Sequence, residues 1–141
     1  MAIITRPLIG NRHALGHAEI DADHFAIANW WMRATQCAPI ALPFHIAGLR
    51  KSMRDHFGRE SALVEASGVS FCACHRNEHN VLLELCDDAY ALTARNLRSA
   101  RALLRNKLPR LMRDHINTMD QIAVLMMRDA AEKRAAIAPH R

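Results

Sequence analysis

The chain has 141 residues, enough for one domain with a buried core. Half of the residues are apolar, yet only 5% are aromatic and five are Gly, a balance that favours helices over sheets. The formal charge is +5, carried mostly by Arg, and no apolar run reaches the roughly 18 residues that a membrane span requires.

Residues 1–20 read as a polar, Gly-punctuated N-terminal arm, too short and too early in charge and Pro for a secretory leader. A soluble, cytoplasmic protein is therefore expected. The bundle proper is expected over residues 21–136, with 137–141 as a tail. A first helix is predicted over 21–35, with Ile20 and Asp21 as its start signal. Pro39 and Pro43 bracket a loop. The second helix is predicted over 43–66, since Pro suits a first turn and Ser67-Gly68 supplies a stop. The third is predicted over 71–95 and the fourth over 99–135. Pro109 falls inside the fourth and predicts a kink or local break there.

Side chains able to bind metal recur along these segments: His24, the pair His56 and Glu60, the pair His75 and His79, and His115 with Asp120. They share stripes with core hydrophobes. His24 repeats with Ile27, Ala28 and Trp31, and His56 and Glu60 with Met53, Leu63 and Val64. Likewise His75 and His79 repeat with Cys72, Leu82, Leu83 and Cys86. A lone His on such a stripe is ordinarily a satisfied core residue. Five of them beside two acids are not, because unpaired buried polar groups cost too much. Spacing also aligns their depths. His24 and His56 lie about equally far from the Pro39–Pro43 loop, and His79 and His115 from a turn near 96–98. The expectation is an all-α, up-down-up-down four-helix bundle with an N-terminal arm.

Residues four apart lie on one helical face, as His56/Glu60 and His75/His79 do. His115 and Asp120 are five apart, about 140° around an ideal helix. They must straddle the inward stripe, or a local bulge must unite them. Two roughly octahedral ions offer about twelve coordination positions. Five imidazoles, two bridging carboxylates and a solvent-derived bridge would leave one position open for a small molecule such as dioxygen. Mixed imidazole and carboxylate donors suit iron better than manganese, and zinc rarely takes so many ligands. No Glu-x-x-His pair of the carboxylate-rich di-iron bundles occurs. A His-rich site donates less negative charge, which favours reversible oxygen binding over cleavage.

At these residues the chain resembles the hemerythrin family over about residues 17–128. The motifs are the first-helix His, H-x-x-x-E, H-x-x-x-H and H-x-x-x-x-D. His56-Phe57 is similar to the family's H-F pair, and Glu78-His79 to the E-H of bacterial members. The resemblance implies two iron ions, with His75, His79 and His115 on one and His24 and His56 on the other. Glu60 and Asp120 would bridge, and dioxygen would bind at the ion carrying two histidines. Departures are Ser61, where the family usually has a second acid, and Leu111-Met112, where it has W-L. Trp30 and Trp31 stand in the first helix instead. These changes reshape the pocket wall rather than the ligand set.

The remaining signals have plainer readings. Arg95, Arg98, Arg101, Arg105, Lys107, Arg110 and Arg113 fit either a docking stripe or a solvated helix face. Nucleic-acid motifs and interleaved aromatics are missing, which favours the solvated face. Cys37, Cys72, Cys74 and Cys86 read as small buried hydrophobes, with Cys72/Cys74 as a conceivable redox pair and a disulfide-stapled domain not expected. His13 and His17 read as exposed arm residues, His45 as a core-edge histidine and His140 as tail. Met119, Met126 and Met127 read as core filler. The leading expectation is reversible dioxygen binding for storage, delivery or sensing. One alternative is a peroxide- or nitric oxide-consuming enzyme fed with electrons by the Cys pair. The other is an iron-stabilised module that docks a protein partner through its Arg stripe.

Overall fold

The computed structural model describes residues 6–138, so His140 lies outside the described residues. These form four long helices and two 3-10 turns, with no strand among the described residues. The helices are α1 (Ala18–Gln36), α2 (Leu42–Ala66), α3 (Ala73–Leu92) and a fourth rod, α4, over 97–137. No described helix is long and apolar enough to cross a membrane.

Local chemistry sets the ends. α1 starts before Asp21, at Ala18, because His17 caps it by accepting the Ile20 N–H at 3.4 Å. The Asp21 carboxylate turns back instead and takes the N–H groups of Leu15 and Gly16. α2 carries Pro43 in its first turn. It ends at Ala66, ahead of Gly68, whose φ of 74° permits a Schellman close, with Val69 N–H donating to the Val64 carbonyl. Asn96 caps α4 through the Ser99 N–H at 3.0 Å.

Consecutive helices run antiparallel. Between α1 and α2, Asp23 meets Arg59 near one end and Trp30 faces Phe44 and His45 near the other. Between α2 and α3, Glu60 approaches His75 while Arg50 pairs with Asp87. α4 closes the bundle against α1, with His24 beside Asp120 and Thr35 beside Arg105. Three of the stripe arginines serve the fold itself. Arg101 and Arg105 donate to the Cys37 and Thr35 carbonyls at the end of α1, and Arg113 donates to those of Pro7 and Leu8. That last contact straps down an arm whose Leu8 and Ile9 are buried in the core.

The core has two parts. A large cluster includes Ile27, Trp31, Ile46, Leu49, Met53, Leu82, Leu104 and Met112. A smaller one joins Ile20, Val64, Ala123, Val124 and Met127. In chain order His24, Glu60 and Asp120 fall between the two clusters, and His56 and His115 stand beside Phe57 and Ile116 at the edge of the first, so an apolar plug lies on either side of the polar layer.

At Pro109, where a kink or local break was expected, the helix is not interrupted, and its irregularity falls just before the proline as a π turn. α4 is α-helical over Leu97–Ala102, Leu108–His115 and Gln121–Ile137, and passes through π-helical turns at Leu103–Lys107 and Ile116–Asp120. Lys107 and Leu108 keep right-handed helical backbone angles. In the first π turn the Leu108 N–H reaches back to the Leu103 carbonyl. The Leu104 carbonyl would next receive residue 109, but proline has no N–H to give. The Trp31 indole fills the gap, donating Nε1–H to Leu104 O at 2.6 Å in the buried core.

Replacing Trp31 with Phe is expected to strand that carbonyl, at a cost of about 1–3 kcal/mol in urea unfolding. In a Pro109→Ala background, where a backbone N–H returns, the same replacement should cost less by about 1 kcal/mol. Equal costs in both backgrounds would show that Trp31 contributes only its bulk.

Candidate metal centre

All seven metal-grade residues meet in the layer between the two apolar clusters. α1 presents His24, α2 presents His56 and Glu60, α3 presents His75 and His79, and α4 presents His115 and Asp120. Every one is at most 6% exposed. They form two groups, each able to hold a metal ion, with ligand atoms within 4.8 Å of one another. One group is Glu60, His75, His79, His115 and Asp120; the other is His24, His56 and Asp120. Glu60 also approaches the second group, since its Oε2 lies 3.1 Å from His56 Nε2 while Oε1 lies 2.9 Å from His75 Nε2. Asp120 does the same. Its Oδ2 lies 2.9 Å from His24 Nε2, and its Oδ1 lies 2.8 Å from His115 Nε2 and 3.2 Å from His75 Nε2.

The five-residue step from His115 to Asp120 is resolved by the second π turn, in which the Gln121 N–H donates to Ile116 O. One extra residue in the turn swings Asp120 back onto the inward face. A regular α-helix would have left the two about 140° apart.

The polar atoms here fit a cation better than each other. Nε2 of His56, His75, His79 and His115, both Glu60 oxygens and Asp120 Oδ1 are buried without an aligned hydrogen-bond partner. Several are close enough for one, so direction is what they lack. Native cores rarely leave so many buried polar atoms unpaired. Lone pairs converging from imidazoles and carboxylates are the arrangement a metal ion satisfies.

Without metal, protons take up part of that role. Burial disfavours charge on His56, but the nearby Asp120 and Glu60 carboxylates outweigh it and push the pKa up to about 10. The same balance raises His75 to about 9. His79 is driven the other way, down to about 3, by burial and then by the charge of His115. Burial opposes charge on Asp120 and Glu60 too. Contacts with His115 chiefly hold Asp120 far below the usual carboxylate range, and those with His56 and His75 depress Glu60.

A further shell orients these rings. His56 Nδ1 lies 3.2 Å from Asp23 Oδ2, and Arg59 grips Asp23 with Nε at 2.9 Å from Oδ2 and an amino group at 2.6 Å from Oδ1. A carboxylate behind a ligating imidazole fixes its tautomer and aims the other nitrogen inward. Glu78 stands 3.7 Å behind His115 Nδ1. Phe57 stacks on His79 with ring centroids 3.9 Å apart, and Phe71 packs on His75 at 4.0 Å. Sequence reasoning missed Asp23 and Arg59. Each is the chain neighbour of a metal-grade residue, and that adjacency was the only available signal. A cavity of about 230 Å³ between α2, α3 and α4 reaches His75, walled by Phe71, Val64, Met119 and Ala123.

Several expectations need correction. Cys72 and Cys74 are exposed and disulfide-bonded, because Cys72 is the N-cap of α3 and lies ahead of the buried stripe. Cys86 alone is fully buried, and burial pushes its thiol up to about 12. His13 is only 4% exposed and accepts the Gly10 N–H at 2.8 Å. His17 is half-buried in its capping role, and Met126 is 43% exposed beside the buried Met127. His45 sits half-buried at the core edge beside Trp30.

Metal uptake should compete with the protons on His56 and His75. Below about pH 9 both rings carry a proton in the metal-free protein, and each must lose it before its Nε2 can bind a cation. Ferrous ion added at neutral pH is expected to release about two protons per chain, with affinity rising with pH up to about 10. Calorimetry in buffers of different ionisation enthalpy measures this directly. Affinity unchanged from about pH 6 to about pH 9 would contradict it.

No family model and no solved structure matches the chain. The chain is similar to a bacteriohemerythrin of Ralstonia nicotianae, 27% identical over 126 residues that cover 86% of this chain and 92% of that relative. The helical bundle, the two metal-capable groups and this similarity together support a hemerythrin-like family for the chain.

Proposed function

We propose that the chain binds dioxygen reversibly at a non-haem di-iron centre. His75, His79 and His115 would hold one iron, His24 and His56 the other, and Glu60 and Asp120 would bridge. The observation that carries this reading is five buried imidazoles converging on only two carboxylates, each of which reaches both groups. Such a set donates little negative charge, which suits release of intact dioxygen over its cleavage. Iron held there would supply the reversible electron-donating chemistry that dioxygen binding needs.

The residues around the layer have matching tasks. Apolar clusters on both sides exclude bulk water and so protect the centre from proton-assisted oxidation. Asp23, held by Arg59, keeps His56 from turning, and the Phe57 stack holds His79. Iron would also stabilise the bundle, since binding to the native site adds to folding free energy.

The purified protein is expected to carry about two irons per chain. Air should give a visible charge-transfer spectrum, and removal of oxygen should bleach it over repeated cycles. Protein that takes up no iron, or whose iron gives no spectral response to oxygen, would defeat the proposal.

A further inference from the structure

The Cys72–Cys74 bond is unexplained by fold or centre. It closes a loop with a sequence separation of only 2, the kind that removes the least entropy from the unfolded chain, so it is a poor staple. Both cysteines are exposed, where an external dithiol can reach them. Both also line the cavity that reaches His75. The link to that ring is short, because Cys74 is its chain neighbour and the His75 backbone N–H donates to Cys72 Sγ at 3.3 Å. His75 Nε2 in turn lies within 3.2 Å of both Glu60 and Asp120. Neither other cysteine shares this position: Cys86 is fully buried beside Met53, and Cys37 sits past the end of α1.

We propose that Cys72 and Cys74 are a redox-active pair that returns an oxidised centre to its ferrous state, an inference that rests on the di-iron reading. In the dithiol form both S–H bonds break and one S–S bond forms. The two electrons released go one to each ferric ion, and the two protons go to solvent through the exposed sulfurs. An external dithiol then reduces the disulfide by exchange, becoming a disulfide itself. The pair thus adds a thiol-driven reductase step to an oxygen-binding site, and corrects the autoxidation that any ferrous oxygen carrier suffers.

The test uses the full chain loaded with ferrous iron, its disulfide reduced by a phosphine that is then removed under argon. One equivalent of ferricyanide per iron is added, ferric absorption is followed, and free thiols at each cysteine are counted by alkylation and mass spectrometry. The expected result is transient ferric absorption that decays as the thiols of Cys72 and Cys74 disappear together. Cys72→Ser with Cys74→Ser, in which Ser keeps the N-cap, should hold the ferric signal while giving the same oxygenated spectrum. Persistence of both thiols beside a stable ferric centre would overturn the proposal. So would equally fast thiol loss in iron-free protein. Either result leaves the di-iron reading standing, whereas failure to take up iron at all would remove both.

Discussion

Asp120 is the residue on which the rest depends. Its carboxylate is fully buried and comes within hydrogen-bonding distance of imidazoles from α1, α3 and α4. Glu60, equally buried, faces it from α2. Two carboxylates confined together in a dry layer repel each other and lose their hydration, which is tolerable only if positive charge sits between them. Protons on His56 and His75 supply part of it. Cations held by the inward lone pairs would supply the rest.

That requirement reaches into the backbone of α4. To deliver His115 and Asp120 to the same layer, the helix inserts a π turn between them. Another π turn lies just upstream, where Pro109 removes a donor and Trp31 of α1 replaces it. The two irregularities therefore have separate causes, one in the chemistry of the site and one in the covalent structure of proline. Both keep the rod continuous, so Met112 and Ile116 stay in the core while Asp120 reaches the polar layer. Three arginines of the α4 stripe show the same economy of means: Arg101, Arg105 and Arg113 hold carbonyls of neighbouring segments.

Helix number, order and inward faces were legible because apolar residues and metal-grade residues share one period, as in the Met53, His56, Glu60, Val64 stripe. Pairs four residues apart needed no knowledge of the structure to be placed together. Where a side chain works across helices, sequence was silent. Asp23 reads as a surface acid and Arg59 as a surface base until α1 and α2 are docked. His13 looked solvent-facing because nothing local shows that Leu8 and Ile9 strap the arm to the core. Cys72 kept the period of α3 but stands one residue before the helix, where the period no longer determines facing. The π turns were foreseeable only as one of two ways out of an awkward spacing.

The central proposal is that seven side chains on four helices would hold two irons, with Glu60 and Asp120 shared between them. Crystallographic data collected on either side of the iron absorption edge test it most directly. The account predicts two anomalous peaks in the buried layer, one among His75, His79 and His115 and one beside His24 and His56, with both carboxylates between them. A single peak, or peaks outside this layer such as at Cys72 and Cys74, would contradict it.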